Sequence, residues 1–374
     1  MNQNHPSAST HSLNLGQALK LGALAALVAV AQLGAQTSYT VVDLSHPGSF
    51  AIANGTSAGV TVGATASSAS LATHAALWSG PDYTDLHPAA LLGELAPSRS
   101  AVNGAAGGLQ VGVGSGANSL NRPVALAWTG TAASASILNV NFPTYSTQAL
   151  ATDGSQIVGY GIGYSRDGTT LDSGHALLWD GANSFAADLG TNAQALGVGG
   201  GQQAGQVWKS TWNAALWRGT SKSLVVLHPA GATSSSATAT DGVRQVGNAT
   251  YEIRLRVEAV KGQKSALFSY ATVWSGTAGS AINIHPYGFT HSYATSVAGS
   301  YIAGYAADNT KLSTPAYYHA IVWDANLQAT DLNAFLPAGF VGSQARSVDA
   351  AGYVAGYMMT ATGERHAVLW IPNL

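Results

Sequence analysis

The chain has no cysteine among its 374 residues, so no disulfide staples it and a lipid anchor on cysteine is excluded. Its stability must come from burial and strand pairing. Charge is also scarce: Asp, Glu, Lys and Arg make up 9% of the residues, with a formal net charge of −2. A nucleic-acid partner needs a basic face, and this balance supplies none. There is no G-x-S-x-G elbow, no phosphate loop, no metal-spaced His/Glu motif and no pair of carboxylates. These absences weigh against an enzyme without excluding one, and no cofactor is implied. Long apolar runs are missing too, with one exception.

The exception runs from Leu21 to Leu33, after Lys20, with Ala29, Ala31 and Ala35 at its exit. A charged start, a short apolar core and small residues at the end make residues 1–35 a secretory signal peptide, cut near Ala31 or Ala35. A membrane span needs about 20 apolar residues, and this run is shorter. The rival reading is an uncleaved anchor. The mature chain is expected to lack a membrane span, to be secreted or periplasmic, and to be a monomer.

What is abundant is glycine, at 44 residues, and repetition. "HALLWDG" at 175–181 has relatives at 74–80 (HAALWSG), 124–130 (VALAWTG), 213–219 (NAALWRG), 270–276 (YATVWSG), 319–325 (HAIVWDA) and 366–370 (HAVLW). Their tryptophans, Trp78, Trp128, Trp179, Trp217, Trp274, Trp323 and Trp370, recur roughly every fifty residues, which marks a repeat architecture. Each period also holds a phrase such as "TDLHP" (84–88), a small-residue stretch such as "SATATDG" (236–242), and an ending such as "QIVGY" (156–160) or "YVAGY" (353–357). Four short strands per repeat, joined by turns, describe a propeller blade. We label them a (small residues, innermost), b (ending VGY), c (the heptapeptide) and d (ending DLHP). The tryptophan is expected to pack between blades.

The ends complement each other. The last repeat stops after strand c, and the mature chain begins with "SYTVVDLSHP" (38–47), a strand d without a blade. The N-terminal strand is therefore expected to close an all-β, seven-bladed propeller over 36–374. "SATATDGVRQVGNA", "YATSVAGSYIAGYAADN" and the HAxLW phrase resemble the bacterial extracellular repeats called the HAF family. That resemblance implies a secreted, propeller-like protein and carries no activity. Several junctions depart from the commoner Asp-Leu-Gly by having His or His-Pro.

The a–b and c–d turns are tight, whereas several b–c connections are long, among them 161–174, 306–318 and the hairpin 248–269. In a meander the b–c and d–a connections share one face, and ligands usually bind where long loops stand on a rigid scaffold. On that face His46, His87, His228 and His285 mark d–a junctions, with Asn139 and Asn333 at others. They form a candidate polar ring; the competing reading makes the histidines turn-fixing residues. Arg99 and Arg346, in or near inner strands, are candidates to hold an anion in the channel. Opposite junctions stand too far apart to share an ion, so no metal site is assigned. His74, His175, His319 and His366 open strands c in a slot that elsewhere holds valine, which argues for structural hydrogen bonds. The expected function is binding of a glycan or a surface protein. The alternative is an extracellular polysaccharide-acting enzyme, a lyase or hydrolase, working at the mouth of the channel.

Overall fold

Strand a is built from small residues because it lies where all the blades crowd together. The computed structural model describes residues 38–373, apart from 47–48, 68–71, 81, 94–97, 165–170, 256–263 and 308–316. Among the described residues there are seven four-stranded antiparallel sheets, each in the order a-b-c-d. In blade 1 these strands are Ser49–Ser57, Val60–Ser67, His74–Ser79 and Asp82–Asp85. Blades 2 to 6 follow over 99–137, 144–191, 193–226, 234–283 and 291–331. Blade 7 takes strands a to c from Phe340–Val348, Val354–Thr360 and Arg365–Asn373, and strand d from Ser38–Asp43. Each strand a contacts the strands a on either side, and the first contacts the last, so the ring is closed. The protein is a seven-bladed β-propeller. Residues 1–35, expected from sequence to be a signal peptide, lie outside the described residues, and no helix among those described is long and apolar enough to cross a membrane.

The closing strand is held in register from Ser38 opposite Asn373 to Asp43 opposite Val368. Tyr39 is buried at 6% exposure and packs with Trp370, Leu332 and Val354. All seven repeat tryptophans are 0–1% exposed. They lie between blades: Trp128 of blade 2 donates its indole N–H to the Leu86 carbonyl of blade 1 (2.9 Å) and shares a core with Val62 and Leu86. Trp179 and Trp323 repeat the bond to the Asn139 and Ile284 carbonyls at 2.7 and 2.9 Å.

One irregularity occurs in every blade. Strand a shifts register against strand b at the same place, leaving Asn54, Asn103, Leu150, Leu196, Thr238, Thr295 and Arg346 as bulged residues. The glycine of the VGY phrase stands opposite. A Cβ on Gly159, Gly304 or Gly356 would run into the carbonyl oxygen of Gln148, Tyr293 or Gln344, so only glycine fits there. Four bulged side chains reach the next blade. Asn54 donates to the Val102 carbonyl (2.9 Å), Asn103 to Ala149 (2.8 Å), Thr238 to Ala294 (2.7 Å) and Thr295 to Ala345 (3.1 Å). All seven line a central cavity of about 390 Å³, whose other lining residues come from the a–b ends of strands a.

Candidate ligand site at the channel mouth

The junction histidines are engaged within the protein. The Ser100 hydroxyl accepts the Ala75 N–H (2.9 Å) and so has its proton to give to His87 Nδ1 (2.8 Å). Ser235 does the same between Ala214 and His228, and Ser292 between Ala271 and His285. The far nitrogens donate in turn: His228 Nε2 to the Ala232 carbonyl (3.0 Å) and His285 Nε2 to the Phe289 carbonyl (2.9 Å), while His87 Nε2 meets the Ser98 hydroxyl (2.9 Å). This network assigns the neutral Nε2–H tautomer to His228 and His285. Burial lowers the pKa of His87 and His285 below the usual imidazole value; for His87 the stacked His74 ring, 4.0 Å away, adds to the effect. Asn333 holds the same slot in blade 6, where its Oδ1 accepts the Ser343 hydroxyl and Ser343 accepts the Ala320 N–H.

His46 is one residue out of step. The phrase "DLSHP" is longer than "DLHP", and Ser45 fills the slot, accepting the Ala367 N–H at 2.8 Å. His46 is exposed, with its ring 5.5 Å from Tyr83. Asn139 is exposed and contributes its carbonyl to Trp179, and Arg99 is exposed at the start of strand a of blade 2. The residues that open strands c have the structural role expected of them. His74, His175, His319 and His366 bond Asp85, Asp188, Asp331 and Asp43 of the adjacent strands d at 2.7–2.9 Å.

Of the residues singled out from sequence, Arg346 is the one placed in a dense chemical cluster. The cluster is built from two slots that the repeat varies. The first is the residue after the strand-b glycine: Ala64, Val113, Tyr160, Gln206, Asn248, Tyr305 and Tyr357. The second is the residue before the heptapeptide: Thr73, Pro123, Gly174, Trp212, Ser269, Tyr318 and Arg365. Blades 6 and 7 put tyrosine into the first slot, and tyrosine and arginine into the second. Arg365 lies over the Tyr357 ring at 4.9 Å and the Phe50 ring at 5.8 Å, and Arg346 lies over Tyr357 at 5.7 Å. Tyr305 stacks on Tyr293 at 5.0 Å and meets Tyr318 edge-on at 5.3 Å. Because Tyr318 and Arg365 begin strands c, and Phe50 sits near the start of a strand a, the cluster lies on the face of the b–c and d–a connections.

Its electrostatics are one-sided. Burial, reinforced by Tyr293, pushes the Tyr305 phenol up to about 12. The Tyr357 phenol also rises, through burial first, against the opposing pull of Arg365 and Arg346. Both hydroxyls are therefore protonated donors at neutral pH. Neither Arg346 nor Arg365 has a carboxylate within ion-pair distance among the described residues, where the only Arg–carboxylate pair is Arg244–Asp241. Two guanidinium groups and two phenolic donors, unopposed by negative charge, are suited to an anion. No three His, Asp or Glu side chains among the described residues come together as metal ligands would.

The tyrosines were visible in the phrases QIVGY, YIAGY and YVAGY. Reading those phrases only as strand endings hid their role. The signal is that a repeat slot filled by Ala or Val in blades 1 and 2 becomes tyrosine in blades 3, 6 and 7.

No family model and no curated protein sequence matches this chain. Among solved structures, the β-propeller domain of the trilobed protease from Pyrococcus furiosus is similar at 11% identity and a TM-score of 0.43, over 71% of this chain and 91% of that one. A puromycin hydrolase is similar at 14% identity and a TM-score of 0.44, over 87% of this chain and 52% of the hydrolase. The chain thus spans about half the length of that hydrolase, and the likeness concerns the fold alone.

Proposed function

We propose that this chain is an exported propeller that binds an acidic saccharide at the channel mouth, with a carboxylate or sulfate of the ligand seated against Arg346, Arg365, Tyr305 and Tyr357. The observation that carries the reading is the pair of guanidinium groups, without a carboxylate partner among the described residues, that lie over the Tyr357 ring on the face that bears the long connections. The cation–π contacts with Tyr357 and Phe50 help hold the two cations in place, and guanidinium N–H groups can meet an anion bidentately. Saccharide rings suit the surrounding Phe50, Tyr293 and Tyr318, which offer aromatic surface beside hydrogen-bonding groups.

The same juxtaposition of arginine and tyrosine is what favours the alternative, a lyase or hydrolase at this mouth. A lyase would use a tyrosine as base, which calls for a pKa drawn down toward neutrality. The upward shifts at Tyr305 and Tyr357 run the other way, which favours binding over a tyrosine-base lyase.

Isothermal titration with a soluble polyuronate and with a sulfated polysaccharide tests it. Binding should weaken with salt, and Arg346→Gln together with Arg365→Gln should reduce affinity by about a hundredfold, two charge-assisted contacts at roughly 1.5 kcal/mol each. Equal affinity in the double variant would remove the proposal. Release of unsaturated or shortened products from the bound polymer would replace it with the enzyme.

A further inference from the structure

We infer that blades 3 and 4 carry a second binding site, a platform for a neutral sugar ring made by Trp208, Trp212 and Tyr160. Of the nine tryptophans, seven are the buried blade-packing residues. The remaining two stand together. Trp208 ends strand b of blade 4, Trp212 begins strand c directly opposite, and Trp208 remains 46% exposed. Their rings meet edge-on, with centroids 5.4 Å apart and planes at 76°. That geometry favours attraction between the rings and holds both in place. The hairpin that carries them is tied down from both sides: Trp208 N–H donates to the Asn192 carbonyl (2.7 Å), and Lys209 N–H to the Thr211 carbonyl (3.0 Å).

Beside the rings lies a cavity of about 300 Å³, lined also by Tyr160, Asn192, Gln194 and Ile162. None of its lining residues is charged. Several are neutral groups with hydrogen-bonding capacity left over among the described residues. Gln194 Oε1 accepts from Gln206 Nε2 (2.9 Å), which fixes the amide and leaves its own NH₂ unused. The Asn192 amide and the Tyr160 hydroxyl likewise have no partner among the described residues.

The chemistry selects one class of ligand. A charged ligand would find no counter-charge here, and a purely aliphatic one would leave the amides unpaired. A pyranose ring presents a C–H face to the indoles and a rim of hydroxyl groups to the amides and the phenol. The volume, at the lower end of small-molecule sites, suits one ring of a longer chain. None of these residues belongs to the Arg346 cluster, so the inference stands or falls apart from the acidic-ligand reading.

Affinity electrophoresis of the full chain through gels holding a soluble glucan, mannan, galactan or xylan tests it. Retardation is expected in at least one gel, about tenfold weaker in Trp208→Ala and in Trp212→Ala, the loss typical of an aromatic anchor. Val243→Ala, at a 74% exposed position on the a–b turn of blade 5, should behave as wild type. No retardation in any of the four gels, or retardation that survives the double tryptophan variant, would overturn the site. Should the variants misfold, the wild-type chain suffices. A retarding polysaccharide must shield the exposed indole from acrylamide quenching, and unchanged quenching in its presence refutes the platform.

Discussion

Removing the strand that closes the ring is the most demanding test of the architecture. A chain beginning at Pro47 loses the whole of Ser38–Asp43 together with Leu44 and Ser45. Tyr39 and Leu44 are exposed by only 6% and 5% in the intact protein. Burying side chains of that size contributes about 1.5–3 kcal/mol each, hence roughly 3–6 kcal/mol for the two. Tyr39 also packs its ring 5.9 Å from Phe335, and the bonds from Leu44 N–H to the Ala367 carbonyl and from Ala367 N–H to Ser45 would go. Against a domain stability of about 5–15 kcal/mol the loss is a large fraction. For a chain of this size it corresponds to a fall of roughly 5–10 °C in melting temperature. Circular dichroism melts of the chains starting at Ser38 and at Pro47 make the comparison, and a synthetic peptide of residues 38–46 added to the shorter chain should recover part of the loss. Equal melting temperatures would show that the seventh sheet does not need its borrowed strand, and the closure argument would fail.

The slot shared by His285 and Asn333 predicts that His285→Asn, which can still take the serine proton and gives up only the Phe289 contact, costs about 1 kcal/mol, less than His285→Leu, which strands both the Ser292 hydroxyl and the Phe289 carbonyl and costs about 1–3 kcal/mol by denaturant unfolding. Because burial holds the folded-state pKa of His87, His285 and His291 below the unfolded value, the unfolded chain binds more protons between the two values. Their contribution is complete above about pH 6.5 and is lost as pH falls through the depressed folded values. Melting temperature should therefore drop on acidification below about 6.5, and less steeply in a His285→Asn variant; a slope unchanged by the substitution would remove this account. N-terminal sequencing of exported protein should find cleavage near Ala31 or Ala35, while an intact N-terminus in the membrane fraction would favour an anchor.

The sequence carried the fold because one heptapeptide, written seven times, tied each tryptophan to one strand and each strand to one blade. The complementary ends then fixed the closure. The site was less legible for three physical reasons. His46 looked equivalent to His87, but the extra Ser45 moves it out of the slot, and a one-residue offset is invisible until hydrogen bonds are assigned. The histidines drew attention as titratable groups, yet their nitrogens are occupied by Ser100, Ser235 and Ser292, which the repeat supplies from the following strand a. Arg346 was legible as a charge in an inner strand. Its partners Tyr305, Tyr357 and Arg365 come from other strands, and only strand register brings them to it.

The two variable slots have a consequence for how such a protein changes. Across the seven blades they accept Gly, Pro, Thr, Ser, Ala, Val, Gln, Asn, Tyr, Trp and Arg on the same four-stranded backbone. The strand register is the same whatever they hold, because the contacts repeated in most blades lie elsewhere, in the tryptophans, the bulge glycines and the serine–histidine links. Specificity can therefore be rewritten one blade at a time on an unchanged strand register. Blades 1 and 2, with Ala64, Thr73, Val113 and Pro123, supply a ready-made blank vocabulary. Copying those residues into blades 6 and 7 would strip Tyr305, Tyr318, Tyr357 and Arg365 from around Arg346 while leaving the platform of blades 3 and 4 in place, and new recognition chemistry could be written there.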